Sequence, residues 1–386
     1  MAAQLSRLAK LGMAKEVTAG TYVTPSVYIP FMKAAHEDVY AELKDESYRY
    51  NDSVLQGMYQ GPVNATWDID VLAYPDLIGH FLRGVIGPDT VSAGVSTTLS
   101  SSTSIGATSI STAASIAANS YIVIDTSTNL EYAKVTAVSG SGPYTLTVTG
   151  AGSTGGLLNA HTSSVAVVSQ TTHTFKQNAT AAKSTYSLTV DDTVGNILGY
   201  TMCTVSDLQF KIDPKAIVTL NVKMTALPGV AQSAITPTYT AYAPNLGWEW
   251  TMVNAGGTST RGLTFDVTVK RAVDPVHSSN GVQAPREIFQ GALEADGTYK
   301  AIFENNTDLN LYLNYTQSPA TATVTQPIAQ GGQSLAITMS KSGWFKGKRD
   351  YGQTYMQADF SLSGIYNSTD SGSVSAVLSN YQTASY

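Results

Sequence analysis

The sequence has little of what most functional classes require. Cys203 is the only cysteine in 386 residues, which excludes an intramolecular disulfide framework and any paired-cysteine zinc site. It is expected to be a small buried apolar side chain. Charge is scarce. Charged residues make up 13% of the chain, about half of the roughly 25% usual in soluble domains. Basic excess is missing as well: the net charge is −6, and a non-specific DNA binder needs a positive field. No apolar run approaches the roughly 18–20 residues of a membrane span. The opening "MAAQLSRLAKLGMAKE" lacks the apolar stretch of a secretory signal and reads as a short amphipathic arm.

Catalytic patterns are equally thin. The histidines are His36, His80, His161, His173 and His277, and no two have the spacing of a helical metal site. "GAGSTG" at 150–155 has the glycine spacing of a dinucleotide loop, but a strand pattern follows it where a helix is needed, so it reads as a hairpin loop. Asp68 and Asp70 lie in a strand pattern on the side opposite Trp67 and read as solvated or lumen-facing acids. No placed pair of carboxylates singles out a glycosidase. No catalytic, cofactor or metal residue is expected.

What the sequence does hold is β pattern and tyrosine. Hydrophobic residues make up 43% of the chain, and there are 22 tyrosines. A surface of Ser, Thr, Asn and Tyr with few charges repels weakly, which suits packing against copies of the same chain. Alternating runs such as "RGLTFDVTVKRAV" recur between Gly, Asn and Pro punctuation. The clearest helix signal is "PDLIGHFLRGVI" at 75–86, with Leu77, Ile78, Phe81, Leu82 and Val85 on one stripe. A second short helix is expected near 298–304.

Composition shifts between 88 and 172. This stretch is dominated by Ser and Thr and holds four charged residues, Asp89, Asp125, Glu131 and Lys134. Its alternating segments predict an inserted β-module. With it removed, the remainder falls into two series. Each runs through a strand–helix step (65–86, then 288–304) to a closing hairpin (207–226, then 359–380). This predicts a duplicated β-rich unit: 1–87 and 173–232 form the first copy, 233–386 the second. Residues 36–62, "HEDVYAELKDESYRYNDSVLQGMYQGP", interleave acids with tyrosines. Glu42, Asp45, Glu46, Tyr48, Arg49, Tyr50, Asp52 and Tyr59 are the candidates for a contact with a neighbouring subunit.

Four segments carry a family resemblance. They are "LGMAKEVTAGTYVTPSVYIPF", "YRYNDSVLQGMYQGPVNATWDIDVLAYPDLIGHFLRGVIG", "GALEADGTYKAIFEN" and "IYNSTDSGSVSAVLSNYQTASY". In these the chain resembles the major tail tube proteins of long-tailed (siphovirus-type) bacteriophages. The resemblance implies a mainly β fold: two tandem sandwich or half-barrel units, each flanked by a short helix, with the 88–172 module on the outside. It implies that sheets of several subunits join into one continuous barrel and that rings stack into a virion tail tube around a tape-measure protein. Tail terminator and tip proteins would be further partners. DNA would pass through the lumen without specific binding, and no membrane would be engaged. The subunit would be made in the host cytoplasm, carry no cofactor and not be an enzyme. A doubled unit implies three chains per ring with pseudo-sixfold symmetry, the six-chain ring being the alternative. A surface adhesin or virion fibre with carbohydrate-binding modules is the competing class.

Overall fold

The computed structural model describes residues 5–181, 183–254 and 257–386. The chain begins with β1 (Lys10–Lys15), β2 (Val27–Tyr28), β3 (Phe31–Asp45), β4 (Gly57–Leu72), α1 (Pro75–Val85) and β5 (Asp89–Ser92). Six short strands follow: β6 (Ser96–Thr98), β7 (Ser109–Thr112), β8 (Tyr121–Ile124), β9 (Glu131–Ser139), β10 (Tyr144–Gly150) and β11 (Ala166–Ser169). Then come β12 (Thr171–Lys176), β13 (Tyr186–Asp191), β14 (Ile197–Ile212), β15 (Thr219–Ala226), β16 (Val230–Ala231), β17 (Trp250–Asn254) and β18 (Gly257–Ser259). The chain closes with β19 (Gly262–Val276), β20 (Glu287–Ile302), α2 (Thr307–Leu313), β21 (Ser318–Thr325), β22 (Ser334–Asp350), β23 (Gln357–Gly364) and β24 (Ser375–Asn380). The fold is mainly β.

Two series of strands pair in the same order. In the first, β1 pairs β13, β13 pairs β14, β14 pairs β15, β15 pairs β4 and β4 pairs β3. In the second, β17, β21, β22, β23, β20 and β19 pair in that same succession. The irregularities coincide too. Bulges fall at Phe31/Lys33 and Tyr40/Glu42 in the first long hairpin, and at Gly262/Thr264 and Arg271/Val273 in the second. They fall at Tyr186/Leu188 and Val205/Asp207 in the first series, and at Ser318/Ala320 and Trp344/Lys346 in the second. A bulge re-aims a strand and is costly to place at random. Aligning the bulges puts Asp207 on Lys346, Val267 on His36 and Ile69 on Tyr299. Residue types are therefore scarcely kept, while register is.

Each series is a sandwich whose core lies between its strands and its helix. Along β4, Ala65, Trp67, Ile69 and Val71 are buried, and Asp68 and Asp70 take the other face, as strand alternation requires. The helix α1 begins at Pro75, with Asp76 in its first turn, and buries Leu77, Ile78, Phe81, Leu82 and Val85. Its C-terminal end is held by the second series. Arg271 of β19 is 4% exposed. It donates to the carbonyls of Val85 (2.8 Å), Ile86 (3.1 Å) and Gly291 (2.9 Å). A cation on the last carbonyls of a helix is favourable both as a donor and against the helix dipole.

Several expectations are corrected. Residues 298–304 do not form a helix. β20 continues to Ile302, pinned by β23 through Tyr299↔Phe360 and Ile302↔Gln357, and α2 begins only at Thr307. Residues 359–380 are not a hairpin. The hairpin is β22–β23, and β23 and β24 both run antiparallel to β22, at Ser342–Asp350 and Ser334–Thr338 respectively. They form one strand broken by an excursion at 365–374. Short β16 repeats this arrangement after β15, pairing β14 at Leu198 and Gly199. The expected amphipathic arm is also different: Lys10–Lys15 is a buried strand against β13, and residues 1–4 lie outside the described residues.

β6 to β11 form a separate six-stranded sheet with the order β6-β11-β8-β9-β10-β7. Its apolar cluster includes Leu99, Ile110, Ile122, Val135, Leu146 and Val167. β5 and β12 belong instead to the large sheet, where Thr172 pairs Ser92 and Phe175 pairs Asp89. The extra sheet thus begins and ends inside the 88–172 interval. It touches the second series where the Tyr132 ring lies 5.6 Å from that of Tyr381, and Gln170, just after β11, donates to the Gly331 carbonyl at 2.9 Å. Gly332, with φ 62, lies under the Tyr121 ring, where a Cβ would come within 1.9 Å of it.

Candidate functional site

Eight strands run side by side in the order β3-β4-β15-β14-β19-β20-β23-β22. Four come from each series, and the joint between them is β14 against β19, from Asp207↔Lys270 to Ile212↔Phe265. One face of this layer is core: Ile69, Val222, Phe210, Val267, Tyr299 and Phe360 are all buried. The other face is polar, and its charges alternate in sign from strand to strand. One line reads Asp68, Lys223, Asp207, Lys270, Glu294 across five strands, each directly opposite the next. Another reads Lys300, Asp359, Lys348 across β20, β23 and β22. Lys211 faces Asp266. Opposite charges across strands stabilise register modestly, and their fields cancel at a distance.

The acids respond to their places. Lys33 donates to Asp68 at 2.8 Å and Asn221 donates to Asp68 and Asp70, which holds the Asp68 carboxyl below the usual range. Asp207 is pushed up by burial, against the pull of Lys270 and Lys223, and Asp266 is pushed up by burial likewise. Asp68 and Asp70 therefore stand on the polar face, opposite Trp67, as the strand pattern indicated. That face combines acids with lysines and is not a pair poised for acid–base chemistry.

The expected contact residues lie on the projecting end of the β3–β4 hairpin. Glu42 and Asp45 are in β3, Tyr59 is in β4, and Glu46, Tyr48, Arg49, Tyr50 and Asp52 lie in the turn between them. The stretch 36–62 is thus mostly paired strand, with a free end at 46–56. Arg49 pairs with Asp45, and Lys44 lies 3.3 Å from Glu42. Tyr48 and Tyr50 are fully exposed, and Val54, Leu55 and Tyr59 are exposed as well. At the opposite end of the layer, beside the turn after Ile212, a cleft of about 340 Å³ is lined by Trp248, Trp250, Met252, Phe265 and Tyr299. Trp248 is 62% exposed there. No local pattern marks this cleft, because its lining comes from four separated segments.

Among the described residues, no group of three or more His, Cys, Asp or Glu is disposed to hold a metal. His161 is buried in the six-stranded sheet between Asp125 and Glu131, and Glu131 also accepts from the backbone of Leu158 and Asn159. Such full use of the carboxylate marks a structural node. Residues 151–155 form turns after β10 with no helix after them, so the glycine-rich run is a loop. Cys203 is buried, which pushes its thiol pKa up and keeps it unreactive. No helix among the described residues is long and apolar enough to cross a membrane.

The sequence profile of one family, described as phage tail tube protein, matches residues 6–364. No curated protein matches the chain.

Proposed function

The chain belongs to the phage tail tube protein family, and from that premise we propose that it is the repeating subunit of a tail tube whose rings hold three chains. The family implies a structural component of the virion tail that assembles with itself into tube rings. The observation that carries the stoichiometry is the repeated strand order with its coinciding bulges. Two tube units in each chain supply six around the ring from three subunits. Covalent linkage makes every second contact intramolecular and so raises its effective concentration.

On this reading the eight-stranded layer is one third of the tube wall, with its helices outside and its polar face toward the lumen. DNA phosphates bind lysines that stand in a net positive field. Here the lysines of the polar face alternate with acids, so the wall offers a passing genome no continuous basic track. Assembly around a tape-measure protein, capping by terminator and tip proteins, and synthesis in the host cytoplasm complete the proposal. A three-dimensional reconstruction of tubes from the purified chain tests it. Three chains per ring, with the two series superposing about a pseudo-sixfold axis, is the expected result; six chains per ring would overturn it.

The six-stranded sheet is assigned to the outside of the tube, as a module dispensable for assembly. Its ends at β5 and β12 are paired neighbours, so a short turn can close the gap. Replacing 94–169 with a four-residue Gly/Ser turn is expected to leave soluble protein that still forms tubes of smaller outer diameter. Loss of tubes with folded subunits intact would place the module inside the assembly contact instead.

A further inference from the structure

We propose that the ring closes by a strand-to-strand seam in which Lys346–Tyr351, the end of β22 and the residue after it, pairs antiparallel with Ala34–Val39 of β3 in the next copy, with Lys348 facing Glu37. The inference rests on the tube reading and adds the two edges and the register.

The layer has two open edges. Among the described residues, β3 pairs with β4 alone, which leaves its other edge free. Among them too, β22 pairs β21 only as far as Ser342, so beyond it the strand has a partner on one side alone, β23. These are the positions that the joint inside the chain occupies. There, Asp207–Ile212 of β14 pairs Phe265–Lys270 of β19. The shared bulges map β14 onto β22 and β19 onto β3: Asp207 falls on Lys346, Ile212 on Tyr351, Phe265 on Ala34 and Lys270 on Val39. Repeating the internal joint between copies sets Lys346 against Val39, Gly347 against Asp38, Lys348 against Glu37 and Arg349 against His36. Asp350 then faces Ala35, and Tyr351 faces Ala34.

Exposure agrees with a missing partner. Ile212, covered by β19, is 4% exposed, whereas its counterpart Tyr351 is 62% exposed. Phe345, one residue before the seam, is 61% exposed. Unpaired edges of this kind invite a further strand.

Charge agrees as well, and this observation is independent of the bulges. The line Lys300, Asp359, Lys348 ends at the open edge on a lysine. Placing Glu37 next continues the alternation, as Lys270 continues Asp68, Lys223, Asp207 across the internal joint. On the core face, Arg349 lies diagonal to Asp38, within reach for a long side chain. Among the described residues, neither Glu37 nor Lys348 has an ion-pair partner within its own chain. A slip of two residues sets Lys348 against Ala35 or Val39 and loses the facing pair. The contact is heterologous, as a closed ring requires.

Two measurements test the seam. In assembly assays, K348E and E37K are each expected to raise the concentration needed for tube formation by about tenfold or more, a loss of about 1.4 kcal/mol per contact. The double variant K348E/E37K should recover most of it. A double variant no better than either single change overturns the proposal. In the second, cysteines are placed at 348 and 37, and separately at 349 and 36, because one of two adjacent pairs is the closer, non-hydrogen-bonded kind. Oxidised tubes should give intersubunit disulfides for at least one pair and none for 348 with 35 or 39. Tubes that cross-link only at 35 or 39, or at none of these, overturn the seam and leave the tube reading standing. Failure of the unmodified chain to form any ring or tube overturns the tube reading itself.

Discussion

Deleting residues 46–56 and joining β3 to β4 through a two-residue turn is expected to give rings that no longer stack. The end removed carries Tyr48 and Tyr50, fully exposed, together with exposed Val54 and Leu55. No lone hairpin needs such side chains for its own stability, and aromatic anchors of this kind dominate protein contacts. The turn projects from one end of the eight-stranded layer. The cleft under Trp248 lies at the other end, beside the turn that follows Ile212. Head-to-tail stacking would bring the free end of one ring toward the cleft of the next. The Asp45–Arg49 pair stiffens the turn without supplying much energy, since water screens an exposed pair. Negative-stain images of the shortened chain should show single rings. Long tubes at the same protein concentration would remove the hairpin from the stacking contact. Trp248→Ala should weaken stacking in the same direction, leaving rings intact.

The second large effect concerns the union of the two series. Arg271→Ala removes a buried cation and leaves the carbonyls of Val85, Ile86 and Gly291 without their donor. Burial lowers the arginine's pKa, but three carbonyls hold it charged. Stranded buried acceptors cost about 1–3 kcal/mol each, so a loss on the order of 3 kcal/mol is expected even if water reaches one of them. The midpoint of thermal unfolding should fall by on the order of 5 °C. Arg271→Lys keeps the charge but concentrates it on one nitrogen, and should recover only part. An unchanged midpoint in the alanine variant would mean that the end of α1 is satisfied in some other way. The bulge alignment puts Tyr40 at the position of Arg271 in the other series. The two joints of the proposed ring therefore differ chemically where they share a register.

Much of the fold was legible in the chain. The alternation of Ala65, Trp67, Ile69 and Val71 predicts both the strand and the buried face. The proline, the acid and the apolar stripe of 75–86 predict α1. These signals are local: side-chain periodicity of two or 3.6 residues reports which face leaves water. The helix expected at 298–304 failed because "TYKAI" is short and suits either state, and its pairing with β23 decided the matter. The hairpin expected at 359–380 failed for a related reason. Ser, Thr, Asp and Gly at 368–372 make a turn, but a turn need not reverse the chain. Here it returns the strand to the same edge of β22.

The contact residues show the same division. Acids and tyrosines at 36–62 marked an unusual stretch, yet only the pairing of β3 with β4 shows that most of it is strand and that 46–56 alone is free. A duplication was expected from a succession of patterns. The matching register that supports it was not, because the aligned positions hold different residues, such as Ile69 and Tyr299 or Asp207 and Lys346. By itself the sequence determined the β class, the mixed polar and apolar faces, the separate composition of the inserted sheet and the family, because each depends on residue type and local order. The tertiary structure alone decided which strands are neighbours, where the bulges fall and which two edges remain open. Those features arise from hydrogen bonds between segments far apart in the chain, and backbone hydrogen bonds carry no signature in the side chains.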